Sequence, residues 1–137
     1  MKPIIVPTDF SPIADNALQY ALDLAKQYQL DIQLLHVVQF STPDVANIVY
    51  ADSLQELVKE ATKKMEDKRA ALQEANPTVL IEAKVEAGIL LDSLEDLCKE
   101  IHPILVMMGI TGSGIGMDKL IGSNAIAAMH HLHTPIM

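Results

Sequence analysis

Ile104-Leu105-Val106-Met107-Met108-Gly109-Ile110-Thr111-Gly112, with nine residues between it and Gly122-Ser123, is the most informative stretch for the fold. The apolar run over 104–108 predicts a buried strand, and its carboxyl end delivers Gly109 to the crevice where open α/β sheets hold ligands. Downstream, Ser123 is placed to cap a helix from Asn124 to about Leu132, with Ile126, Met129 and Leu132 at helical spacing. A glycine-rich turn between strand and helix lets backbone N–H groups surround a polyphosphate at the positive end of the helix. The same glycines also serve turns and close packing, so the pattern alone leaves both readings open.

Working outward, strand-like and helix-like segments alternate. Ile4-Ile5-Val6 begins a strand that Pro7, Thr8 and Asp9 close; Ser11 then caps a helix with Pro12 in its first turn and Leu18, Ala21, Leu22 and Ala25 as its apolar stripe. Asp31 to Val38 is the second strand, and a long amphipathic helix runs from about Ser53, where Ser53 and Glu56 form a capping box, to Glu74. Val79, Ile81, Ala83 and Val85 alternate with Leu80, Glu82, Lys84 and Glu86 as a third strand with one partly wet face. Gly88 turns the chain into a third helix, about Ile89 to Glu100. Thr134-Pro135-Ile136-Met137 reads as the beginning of a fifth strand, whose short length fits either a natural end or one unit of a longer protein. Four strand-to-helix passages predict an α/β fold, a Rossmann-like three-layer sandwich around a mostly parallel five-stranded sheet.

Composition narrows the function. With 137 residues, 50% hydrophobic and 20% charged, the chain is sized for one domain with a substantial core. A net charge of −8 argues against nucleic-acid and anionic-membrane partners, and the cations of Lys59 to Arg69 are interrupted by Glu60, Glu66 and Asp67 as on the wet side of a helix. The apolar runs are too short to span a bilayer and no signal-peptide core follows Met1-Lys2-Pro3, so cytoplasmic residence is expected. Cys98 stands alone, which provides neither a disulfide framework nor a thiolate metal cluster, and it reads as a small core residue. His130, His131 and His133 read as a wet helix end, His36 as a strand-end residue, and His102 as part of a connection. No metal site and no catalytic residue set is expected, and Ser11 and Thr8 read as turn and capping residues.

Taken with this layout, Pro7-Thr8-Asp9-Phe10-Ser11, Leu35-His36-Val37-Val38, Val106-Met107-Met108-Gly109 and the glycine pattern through Gly122-Ser123 resemble the universal stress protein family, from about residue 2 through 137. The resemblance implies a single nucleotide-binding domain over 1–137, a tendency to dimerise, and membership in a family with both ATP-binding and non-binding branches. It places Asp9 beside the ribose or adenine, Val37 near the base through its backbone, and Met108 packing at the strand end. Gly109 and Gly112 are placed around the phosphates, and Gly122, Ser123 and Asn124 at the phosphate side of the last helix. Three features depart from the family pattern: Pro103 replaces an aspartate often found before the fourth strand, Ala125 lacks a hydroxyl, and Lys119 is the only Lys or Arg in 101–137.

The function expected from residues and resemblance together is stress-associated adenine-nucleotide binding and regulation, with ATP as cofactor, Mg²⁺ as its companion ion, and a homodimer or a second copy of the domain as partner. A nucleotide-independent assembly module of the same fold and a weak ATPase are the alternatives. Catalysis ranks below binding, because phosphate binding alone does not lower a phosphoryl-transfer barrier.

Overall fold

The alternating pattern is realised in a computed structural model that describes residues 3–39 and 47–109. Elements follow in the order β1 (Pro3–Pro7), α1 (Pro12–Tyr28), β2 (Asp31–Gln39), α2 (Asn47–Ala75), β3 (Ile81–Gly88), α3 (Leu90–Ile101) and β4 (Leu105–Val106). Among the described residues the strands form one four-stranded parallel sheet in the order β3-β2-β1-β4. The fifth strand at 134–137 and the last helix at 124–132 lie outside the described residues.

Strand alternation sorts the core into two layers. The register aligns Leu105, Ile4, Ile32 and Ile81 across the sheet, and these residues pack with Leu18, Ala21, Leu22 and Met65 from α1 and α2. The opposite face carries Ile5, Leu35, Val37 and Val106 against Leu94 and Leu97 of α3. This division follows from chirality. Passing β1 to β2 to β3 moves one way across the sheet and puts α1 and α2 on one face; returning to β4 beyond β1 reverses direction, so a right-handed crossover puts α3 on the other. The carboxyl ends of β1 and β4, where the direction reverses, therefore border the crevice of a doubly wound sheet.

Local chemistry explains the boundaries. Ser11 caps α1 by accepting the Ala14 N–H at 3.2 Å, with Pro12 opening the helix. Ala17, Ala21 and Ala25 let α1 lie close on the strands. The end of α2 is tied to β3 by Gln73, whose amide nitrogen donates to Val79 O at 2.6 Å while its oxygen accepts the Ile81 N–H at 3.0 Å. One expectation is overturned here: α2 begins at Asn47, so Ser53 lies inside the helix and does not cap it. Residues 47–52 contain neither glycine nor proline, and helix propagation continues upstream through them. Strand β3 starts at Ile81, although Val79 is already buried ahead of it.

Candidate functional site

The turn that follows β1 is bound more tightly than its length suggests. Thr8 is 6% exposed, and its three polar groups are each engaged. Its N–H donates to Leu35 O at 2.8 Å, its hydroxyl oxygen accepts the Phe10 N–H at 3.0 Å, and its carbonyl lies 2.7 Å from His36 Nδ1. Asp9, by contrast, is exposed at the carboxyl end of β1, where its Oδ1 accepts the Ser11 N–H at 3.0 Å. Phe10 has φ 64°, in the left-handed region that a bulky side chain rarely occupies. Its ring sits 4.7 Å from that of His36, tilted by 48°, and Lys64 Nζ stands 4.5 Å from its centroid on the other element, α2.

Val37 supplies backbone to the same crevice. Its side chain is committed to the core against α3, at 8% exposure. Leu35 O faces β1 and takes the Thr8 N–H, so the Val37 carbonyl, two residues on, faces the same side. β1 has ended at Pro7 by then, leaving that carbonyl beyond the paired register. Across β1, Met107 N–H donates to Ile5 O at 2.9 Å and holds the end of β4 in place. Met108, two residues past the end of β4, packs half-buried against the α3-side core. Gly109 follows it, and a Cβ there would stand 2.5 Å from Ile13 Cγ2, with the Ile13 backbone at 3.3 Å.

Asp9, Val37, Met108 and Gly109 thus lie at or just past the carboxyl-terminal halves of the neighbouring strands β1, β2 and β4, while Gly112, Gly122, Ser123 and Asn124 lie outside the described residues. The close approach of Gly109 to α1 gives this glycine a packing role that exists without any ligand. On the α2 side of the turn, a cavity of about 240 Å³ has Phe10, His36, Val38, Glu60 and Lys64 among its walls.

Elsewhere several of the surface charges pair locally. On α2, Lys63 pairs with Asp67 at 3.2 Å, and Lys68 reaches Asp15 of α1 at 2.9 Å. Arg69 donates to Glu66 at 2.6 Å, which holds that carboxyl below the usual range. The Lys59–Arg69 segment is therefore the interleaved helix face its sequence predicts. Asp92 and Asp96 are exposed on α3. Among the described residues no three His, Cys, Asp or Glu side chains gather as a metal site, and no helix is long and apolar enough to cross a membrane.

A model of the universal stress protein family matches residues 1–137. The chain belongs to the universal stress protein family. A universal stress protein of Methanocaldococcus jannaschii is 27% identical over 99% of this chain and 80% of its own length. One from Mycobacterium tuberculosis is 29% identical over 98% of the chain, which spans 46% of that relative. Among solved structures, UspA from Lactobacillus plantarum superimposes with a TM-score of 0.85 at 22% identity, covering 99% of this chain and 95% of that one. An Archaeoglobus fulgidus universal stress protein in complex with dAMP gives 0.68 at 16% identity, covering 100% and 96%. A universal stress protein in complex with cAMP gives 0.64 at 17% identity, covering 99% and 94%. These likenesses establish the α/β fold of the universal stress proteins, with its parallel sheet between helical layers.

Reading the sequence alone missed that Phe10, His36 and Lys64 meet. These residues lie on three separate elements, and the available signal was only the position of Phe10 and Ser11 directly after the strand-ending Asp9.

Proposed function

We propose that this universal stress protein is an adenine-nucleotide-responsive regulatory protein of the cytoplasm, with ATP as its ligand and Mg²⁺ accompanying the phosphates. The observation that carries this reading is an exposed carboxylate, Asp9, just past the end of β1, beside the Val37 carbonyl of β2 that lies beyond the register paired with β1, at the switch of a parallel sheet. The two groups offer complementary chemistry. A carboxylate accepts hydrogen bonds from the hydroxyls of a ribose, and a strand-end peptide reads the polar edge of a purine. The dAMP and cAMP complexes of proteins with the same fold support the choice of an adenine nucleotide.

In this reading Met108 closes the apolar side of the crevice, and Gly109, Gly112, Gly122, Ser123 and Asn124 form the phosphate side, where backbone N–H groups hold the anion. The bound nucleotide supplies negative charge and a rigid base. The chain binds and orients it, and no reaction cycle is assigned. Ligand occupancy stabilises the domain or its contact with a second copy, in a homodimer or in a longer chain, by mass action.

Equilibrium ATP titration of the purified protein, with and without Mg²⁺ and with oligomeric mass followed in parallel, tests the proposal. Saturable binding accompanied by a raised melting temperature is the expected result. A folded protein that shows no saturable binding under either condition refutes it in favour of a nucleotide-independent assembly module.

A further inference from the structure

Among the described residues, the Thr8 to Ser11 turn is the one segment bordering the crevice whose backbone is held by a side chain from a different strand. Thr8 O accepts, so His36 Nδ1 must carry the hydrogen in their 2.7 Å contact. Neutral imidazole then has its lone pair on Nε2, and imidazolium keeps the same Nδ1 donor, so the bond exists in either protonation state. Thr8 O and Asp9 N share one planar peptide. Holding that oxygen fixes the peptide plane from which Asp9 projects.

The far side of Asp9 is held as well. Phe10 donates its N–H back to Thr8 Oγ1 at 3.0 Å, adopts φ 64°, and its ring contacts both the His36 ring and the Lys64 ammonium. A left-handed aromatic residue persists where its surroundings over-determine it. Asp9 is thus an exposed carboxylate between two immobilised residues. Preorganised acceptors of this kind bind more tightly because less freedom is lost on association.

We propose that His36 is a positioning residue for ribose recognition: through the Thr8 carbonyl it fixes the turn that presents the Asp9 carboxylate, without touching the ligand. The inference rests on the nucleotide reading above and adds a residue that supports sugar recognition through Asp9. Because His36 acts through Asp9, its removal affects the hydroxyl-dependent part of affinity and leaves base and phosphate contacts in place.

The test compares ATP with 2′,3′-dideoxy-ATP on His36→Leu, His36→Asn, Asp9→Ala and the Asp9→Ala/His36→Leu double variant, each confirmed folded by thermal melting. The Asn amide nitrogen occupies the place of Nδ1 and restores the donor. His36→Leu is expected to weaken ATP roughly tenfold while leaving the dideoxy analogue within about twofold, the size expected when hydrogen bonds to a charged acceptor are lost. His36→Asn is expected to recover most of that loss, and the double variant to bind ATP no more weakly than Asp9→Ala alone. Equal weakening of both nucleotides by His36→Leu, or no weakening of either, overturns the proposal.

Amide hydrogen exchange at Phe10 and Ser11, measured without nucleotide, separates the two ideas. At least about tenfold faster exchange in His36→Leu, reversed in His36→Asn, supports the clamp. Unchanged exchange refutes it whatever the nucleotide result. Wild-type protein that binds neither nucleotide refutes the ligand reading and the ribose role together, and the exchange result then decides the clamp alone.

Discussion

Gly109→Ala probes the junction on which the crevice depends. The added Cβ would stand 2.5 Å from Ile13 Cγ2, against about 3.5–4.0 Å for an unstrained carbon contact. Rotating the Ile13 side chain gives limited relief, because a β-branched side chain in a helix has one strongly preferred rotamer and the Ile13 backbone carbon and oxygen are themselves at 3.3 Å. The strand end and α1 must therefore move apart by a substantial part of an ångström. Overpacking of this kind costs about 1–3 kcal/mol, and replacing glycine returns about 0.4–1 kcal/mol by restricting the unfolded chain. The net expectation is a loss of about 1–2 kcal/mol, or a melting temperature lower by about 3–8 °C for a domain of this size. Urea unfolding of the ligand-free protein measures it without interference from any phosphate role of the glycine. Repeating the substitution on Ile13→Ala, which removes Cγ2, should reduce its cost by about half or more. A Gly109→Ala protein as stable as wild type, or an equal loss in both backgrounds, would refute the packing argument.

Two further outcomes are expected. Ser11→Ala removes the acceptor for Ala14 N–H and should cost about 1 kcal/mol by thermal or urea unfolding; an unchanged midpoint would show that water replaces the cap without loss. The Lys84–Glu86 ion pair at 3.0 Å holds Glu86 below its ordinary 4.5 and raises Lys84 above its ordinary 10.5, chiefly through the hydrogen bond between them. Its stabilisation is accordingly present above the ordinary carboxylate value and below the ordinary ammonium value. It is lost as pH falls through the lowered Glu86 value or rises through the raised Lys84 value. Both side chains are about a third or more exposed, so Glu86→Gln should cost only about 0.5 kcal/mol at neutral pH and flatten the acid limb of the stability profile. An acid limb identical to wild type in urea titrations from about pH 3 to 7 would remove the pair from the account.

Much of the fold was legible because its signals are local. The periodicity of Leu18, Ala21, Leu22 and Ala25 marks a helix whichever sheet it meets, and the Ser11-Pro12 start is chemistry within a single turn. The same applies to the apolar alternation of β2 and to Gly88, which ends β3 with φ 147°. The start of α2 was misjudged for a related reason: a Ser-x-x-Glu capping pattern also occurs inside helices, and competition from the residues upstream decides whether it terminates one. The candidate site residues Asp9, Val37 and Gly109 were proposed from motif, but their mutual placement was not local information.

The alternating α/β chain, the family and the strand-ending turns were readable along the chain, because hydrophobic period, caps and turn residues act over a few neighbours. Only the tertiary structure decided that β1 lies between β2 and β4, that Ile13 presses on Gly109, and that His36 and Lys64 close on the turn carrying Asp9. Those contacts join residues far apart in sequence. They form when right-handed crossovers stack the strands and the carboxyl ends of three of them meet, a condition that no single segment encodes.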